Sequence, residues 1–220
     1  MDEPIREAVV VESTQRRRMS VADREKYIVD GAIAFFSEQG LDGQMRELAA
    51  AIGVTHTLLY HYFPTKQALV DRVCQEVFVG RWKREWEALL DSRTLTVEEK
   101  FVRFYGEYVR TVLTREFVRI LIFSALSDRT ISDRFFELVG ERLFPRLIRE
   151  TRRHRGSSAR GKPTGREFEL LMGLHGSFFF GGVRRYVYGR PMTADAPALD
   201  DETVITDRVR GYLQASLSIS

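Results

Sequence analysis

A chain of 220 residues, 44% of them hydrophobic, can bury a sizeable core, as one large domain or as a small domain joined to a larger one. Its 34 Lys/Arg and 31 Asp/Glu leave a net charge of +3, too little to imply a nucleic-acid partner from charge alone. The single cysteine, Cys74, excludes an internal disulfide framework and a multi-thiolate metal site, and it reads as a small buried hydrophobe before it reads as a redox sensor.

The chain begins acidic, Met1-Asp2-Glu3-Pro4, with no apolar run behind it, which predicts neither a signal peptide nor a stop-transfer segment. The longest apolar patch, around Met172 to Val183, contains His175 and is too short to cross a bilayer. Both features predict a cytoplasmic protein that does not use the membrane. Residues 1–20 lack apolar periodicity and carry Gln15-Arg16-Arg17-Arg18, the pattern of a flexible basic arm.

Helical patterns follow one after another. Ile28, Ala32, Phe35, Phe36 and Gln39 form one amphipathic stripe that Gly40 closes. Leu48, Ala49 and Ile52 form a shorter one, ended by Gly53, and Leu58, Leu59, Tyr62 and Phe63 a third, ended by Pro64. Thr65 can cap a long fourth helix through Leu69, Val73 and Val77 toward Trp86. Further helices are predicted over about Val97 to Thr114, Glu116 to Leu126, Ser132 to Arg153, Glu167 to Tyr188 and Thr203 to Leu217. Gly156 to Gly165 and Arg190 to Asp201 have loop composition. No alternating strand pattern competes and no repeat of fixed period occurs, so the predicted fold is all-α.

From Arg16 to Lys66 seven Lys/Arg face six Asp/Glu, so a DNA-binding reading of this region must rest on pattern. The third helix supplies one. At about 100° per residue, Leu58, Leu59, Tyr62 and Phe63 fall on one side, and His56, Thr57, Tyr60 and His61 on the other. The apolar side anchors the helix; the other presents hydrogen-bonding groups and flat rings suited to base edges and phosphates. Two short helices around a Gly-containing turn describe a helix-turn-helix. Lys66 in the first turn of the next helix opposes the macrodipole by about 0.3–1 kcal/mol, a liability that a DNA phosphate at that helix start would reverse. Thr65 would add a hydroxyl there. The plain alternative is a solvated lysine.

Ala34-Phe35-Phe36 with Gly40, then Leu48-Ala49-x-x-Ile52-Gly53-Val54-Thr55, then Leu59-Tyr60-x-Tyr62-Phe63-x-x-Lys66-x-x-Leu69 closely resembles the DNA-binding domain of TetR-family transcriptional regulators over roughly Val21 to Cys74. The resemblance implies that Thr55 to Phe63 is the recognition helix and that Tyr60 and Lys66 match positions used on phosphates. It also implies a homodimeric, all-α repressor of double-stranded DNA with a C-terminal ligand pocket. Where the family commonly has a small residue or glycine followed by threonine, this chain has Thr57-Leu58, and Gln44-Met45-Arg46 replaces a threonine-rich helix start. Gln44 or Arg46 reaches a phosphate or a base there, or is a solvated helix end. The predicted DNA-binding set is Gln44, Arg46, Thr55, His56, Thr57, Tyr60, His61, Thr65 and Lys66. The predicted division is a flexible arm over 1–20, a DNA-binding domain over 21–74 with its helix-turn-helix at about 44–63, and an effector-binding and dimerisation domain over 75–220.

In that second part Gly173, Gly176, Gly181 and Gly182 lie beside Phe178-Phe179-Phe180. With Thr203 to Leu217 this segment forms half of an intermolecular four-helix bundle, or else an intramolecular core helix. Trp86, Phe104, Tyr108, Phe123, His175 and Phe179 are the candidates for an apolar or amphipathic small-molecule effector, although aromatics at helical spacing also build plain core. Between Arg142 and Arg190 twelve Lys/Arg face three acids. The stretch from Arg142 to Arg166 reads as a solvated, self-repelling surface or as a collector of an effector with an anionic head. No nucleophile elbow, phosphate-cradling loop or H-E-x-x-H pair occurs, and the four histidines have no metal-ligand spacing. No enzyme, metal or cofactor is predicted. The alternatives to a repressor are an activator of the same fold, a small-molecule binding protein with a vestigial helix-turn-helix, and an enzyme on an α-bundle.

Overall fold

A computed structural model describes residues 19–127, 129–190 and 201–219. The basic run Arg16 to Arg18 and most of the loop predicted from Arg190 lie outside the described residues. Every described element is helical.

Local signals build the first four helices. Ser20 opens α1 (Val21–Gln39) by accepting the Asp23 N–H at 3.1 Å, and Gly40 ends it at a φ of 80°, which glycine adopts without strain. In front of α2 (Met45–Ala51) the Gln44 N–H donates to the Glu47 carboxylate at 3.4 Å. Thr55 and Thr65 each accept an N–H three residues on, from Leu58 at 3.1 Å and Ala68 at 3.0 Å, and so start α3 (His56–Tyr62) and α4 (Lys66–Cys74). Cys74 is buried on α4, where desolvation raises its thiol above the ordinary value.

The fourth helix does not reach Trp86. It widens into a π-helical turn over Gln75–Val79, stops at Gly80, and a separate α5 (Arg84–Asp91) carries Trp86. The Gly80 N–H closes the turn on the Gln75 carbonyl at 2.8 Å. A Cβ at Gly80 would stand 3.2 Å from the carbonyl oxygens of Gln75 and Glu76, a tight contact that a shift of a few tenths of an ångström relieves. The apolar stripe of Leu69, Val73 and Val77 runs into this turn without a signal of it.

Next come α6 (Val97–Thr111) and α7 (Arg115–Leu126). The single helix expected over Ser132 to Arg153 is α8 (Thr130–Leu138), a second π-helical turn over Val139–Leu143, and α9 (Phe144–His154). Pro145 explains the interruption, because it offers no N–H to the carbonyl four residues earlier and the wider turn accommodates the gap. α10 (Gly165–Tyr186) and α11 (Asp201–Ser216) complete the described chain. One continuous apolar core runs from Ile28 of α1 to Leu213 of α11, with α1 and α10 packed on α7, and α6 on α11. Gly182 serves the interior: a Cβ there would meet Val118 of α7 at 2.9 Å. Gly181 is also buried, so of the four glycines beside Phe178-Phe179-Phe180 only Gly173 and Gly176, whose added Cβ would meet nothing within 4 Å, remain for an outward face.

Part of the arginine-rich stretch is ion-paired and not a solvated, self-repelling surface, although Arg142, Arg160, Lys162 and Arg166 are exposed. Arg146 pairs with Glu87 at 2.7 Å and Arg149 with Asp91. Arg153 and the buried Lys100 share the buried Glu150. Arg152 makes a forked pair with Glu167 at 2.6 and 2.7 Å, and its remaining donors take the carbonyls of Arg160, Gly161 and Lys162 at 2.8–3.0 Å. Arg155 joins the same carboxylate. Two buried acids, Glu150 and Glu167, thus gather five cations, which the one-dimensional charge count could not reveal.

Candidate nucleic-acid interface and effector core

The turn between α2 and α3 is held by backbone geometry. The Gly53 N–H donates to Ala50 at 3.2 Å and the Val54 N–H to Ala49 at 3.0 Å, with Gly53 at a φ of 68°; this is the helix-ending motif that favours glycine. From α1, the Tyr27 hydroxyl donates to the Ile52 carbonyl at 2.6 Å. Below the turn Leu59 and Phe63 are buried, Tyr62 packs half-buried against the same core, and Leu58 is half-buried.

The opposite side is open. His56, Thr57, Tyr60 and His61 are exposed, as are Gln44, Arg46, Thr55 and Thr65; Lys66 is half-buried. His56 and Tyr60 stack edge to face, centroids 4.7 Å apart, and form one aromatic ridge along α3. Thr55 and Thr65 use an oxygen lone pair to cap their helices and keep a hydroxyl hydrogen for a partner. The nine predicted DNA-binding residues thus lie at the starts of α2 and α4 and along α3, eight of them exposed and Lys66 half-buried.

Contacts between this head and the rest were absent from the sequence reading. Arg119 of α7 donates to the Ser37 carbonyl and, with Arg115, engages Glu38 at the end of α1. Arg134 of α8 pairs with Asp71 of α4 at 3.0 Å. These partners stand 63–82 positions apart, and no periodicity links residues at such separations.

Of the candidate effector residues, Trp86, Phe104, Tyr108 and His175 are buried and meet one another. Trp86 lies 5.4 Å from Phe104 and 6.2 Å from Tyr108, and Tyr108 lies 5.1 Å from His175, ring centroid to centroid. The Tyr108 hydroxyl is 3.3 Å from His175 Nε2. Phe123 is elsewhere: it packs on Gly40 at the end of α1, under the Arg119 guanidinium. Phe179 is half-buried at the edge of the core, outside this ring cluster. Burial lowers His175 to about 4 and raises the Tyr105 and Tyr108 hydroxyls, so the cluster is uncharged near neutral pH.

Residues 28–73 match the family model for bacterial regulatory proteins of the tetR family. An uncharacterised HTH-type transcriptional regulator of Mycobacterium tuberculosis H37Rv is 30% identical over 165 residues, 72% of this chain and 67% of its own length. The chain belongs to the TetR family. That places it among regulatory proteins and not among enzymes. RutR, an HTH-type transcriptional regulator of Escherichia coli K12, is 34% identical over 102 residues, 46% of this chain and 48% of RutR, so the match spans about half of that relative. A solved TetR-like transcriptional regulator from Rhodococcus sp. RHA1 superposes with a TM-score of 0.65 at 19% identity, covering 92% of this chain and all of that one, a likeness of fold. Among the described residues no helix is long and apolar enough to cross a membrane, and no group of three His, Cys, Asp or Glu could hold a metal.

Proposed function

We propose that this protein is a sequence-specific DNA-binding transcriptional regulator, a homodimeric repressor released from a palindromic operator by a small-molecule effector. The observation that carries the reading is the exposed polar and aromatic side of α3, set on an apolar base and flanked by the capped starts of α2 and α4. Residues 21–74 form the DNA-reading head in this scheme and 75–220 the effector-binding and dimerisation part. On α10, Gly173, Gly176 and the exposed Phe180 lie along one stripe, and Gly211 of α11 is open as well. Two copies packed through α10 and α11 would make a four-helix bundle about a two-fold axis and aim two recognition helices at half-sites one helical turn apart, or a multiple of it.

Operator selection followed by fluorescence anisotropy tests the head. Tyr60→Ala and Lys66→Ala weaken binding to specific and nonspecific DNA alike, and Lys66→Ala lowers the salt slope by about one phosphate's worth. His56→Ala and Thr57→Ala change discrimination among operator variants by about 1–3 kcal/mol where a base contact is lost. Wild-type binding by all four variants would remove α3 from the interface.

A further inference from the structure

The connection between α5 and α6, the first turn of α6 and one side of α9 border an open cleft of about 460 Å³, large enough for a small metabolite. Arg93, Lys100 and Arg153 line it against a single carboxylate, Glu150, and Leu95 and Val97 supply apolar wall. None of the buried aromatic cluster borders it. It is also remote from the DNA-facing surface. The 15 residues of α6 run about 22 Å from the cleft toward the corner where Arg115 of α7 engages Glu38 of α1.

The charges in the cleft do not cancel. Glu150 is fully buried and holds Lys100 through Oε2 at 2.6 Å and Arg153 through Oε1 at 2.5 Å. Those two cations already exceed its one negative charge, and the exposed Arg93 adds a third. Arg149 also approaches Glu150, at 3.6 Å, but is balanced by Asp91. The acids of the first turn of α6 are engaged elsewhere, Glu98 with Arg210 at 2.8 Å and Glu99 with the Thr96 N–H and hydroxyl at 2.8 and 2.9 Å. Two positive charges are left in excess.

Hydrogen-bond donors are in excess as well. The Lys100 side chain is only 4% exposed and uses one of its three N–H groups on Glu150. Its other donors have the cleft as their source of partners, and a buried ammonium without them is costly. At the start of α6, Thr96 and Glu99 satisfy each other's N–H groups through their side chains, which leaves those of Val97 and Glu98 without a partner inside the helix. They stand at the positive end of the helix dipole, an arrangement that receives phosphate.

We propose that this cleft binds a small molecule carrying a phosphate monoester, the phosphate set at the start of α6 among Arg93, Lys100 and Arg153 and the body of the ligand along Leu95 and Val97. A phosphate monoester carries about 1.5 to 2 negative charges at pH 7, which matches the excess, whereas a carboxylate would leave a cation unbalanced. Glu150 is the bracket of the site: it fixes the ammonium and the guanidinium before the ligand arrives, so less side-chain freedom is lost on binding. The site is separate from the proposed effector core, and binding there does not rest on the regulator reading.

The full-length protein is titrated at neutral pH and constant ionic strength with phenyl phosphate and phenyl sulfate, read by isothermal titration calorimetry. Phenyl phosphate is expected to bind at least about tenfold more tightly than phenyl sulfate, which has nearly the same shape and one charge fewer. Arg93→Glu, at an exposed position, is expected to lower phenyl phosphate affinity at least about tenfold, and Arg153→Gln by a smaller factor, while circular dichroism remains that of the wild type. Arg142→Glu, the same charge change on an exposed arginine outside the cleft, and Lys66→Ala on the DNA-facing surface are expected to leave it unchanged. Equal affinity for the sulfate, unchanged affinity in Arg93→Glu, an equal loss in Arg142→Glu, a loss in Lys66→Ala, or no binding at millimolar concentration overturns the proposal.

Discussion

Glu167 joins three pieces of chain: it receives Arg152 and Arg155 from α9 and its end, and it accepts the Thr164 N–H that starts α10. The Arg152 hydrogen bond, with help from Thr164 and Arg155, holds its carboxyl at about 2. The folded form binds this proton more weakly than the unfolded chain, so the stabilisation is whole above the ordinary glutamate range and drains as pH falls toward 2. Glu167→Gln leaves the Arg152 guanidinium buried without its counter-ion, and we expect a loss of about 3 kcal/mol in urea unfolding at neutral pH. That deficit should shrink as the pH approaches 2; a deficit of constant size would assign the role to packing. By the same reasoning charge reversal of Arg152 should destabilise the packing of α9 on α10, so a changed effector response in that variant would not by itself report an anion site.

At the scale of elements, two glycines end helices for different reasons. Gly53 sits at a φ of 68° with open space where a Cβ would go, whereas Gly80 has an ordinary backbone and carbonyl oxygens 3.2 Å from that position. Gly53→Ala should therefore cost about 1 kcal/mol through the left-handed conformation, and Gly53→Asn less, because asparagine tolerates it. At Gly80 the backbone is ordinary right-handed helix and the contact is one that a small shift relieves, so alanine and asparagine should both cost less than Gly53→Ala. Urea midpoints of the four variants decide this, and a loss at Gly80→Ala as large as that at Gly53→Ala would contradict it. The distinction matters for function because the Gly53 turn sets the pitch of α3, while the Gly80 turn ends the segment that links α4 to the aromatic cluster.

For the whole molecule, the head is tied to the body at both ends of its frame, through Arg115 and Arg119 to the end of α1 and through Arg134 to Asp71 of α4. In the proposed switch an effector-driven change would reach DNA through these ties and through α4 itself, and reciprocity would then require operator to weaken effector binding by the same factor, typically about 5- to 150-fold. Dimerisation is testable separately. A Cβ at Gly176 meets nothing within 4 Å in the single chain, so Gly176→Phe should preserve the fold and the melting curve at high dilution. It should nevertheless yield monomers in sedimentation velocity and lose most operator affinity. A dimer that survives Gly176→Phe would place the two-fold axis on another face.

The head was legible in the sequence to within a residue or two. Its boundaries are set by neighbours in the chain: the caps Thr55 and Thr65, the left-handed Gly40 and Gly53, and Pro64, each acting within one helical turn. The two faces of α3 were legible for the same reason, since burial of Leu59 beside exposed Tyr60 follows from angular spacing alone. The apolar stripe that promised one long fourth helix was real but blind to hydrogen-bond register, so the π turn at Gln75–Val79 went unread. Long-range electrostatics were decided only by the tertiary structure. A row of arginines looks the same along the chain whether its counter-ions are solvent or, like Glu87 and Asp91, carboxylates 58–59 positions away. The aromatic candidates likewise became a cluster only when folding brought His175 to Tyr108 across 67 positions and sent Phe123 to the end of α1, because spacing fixes the face a side chain takes on its own helix and says nothing of which helix it will meet.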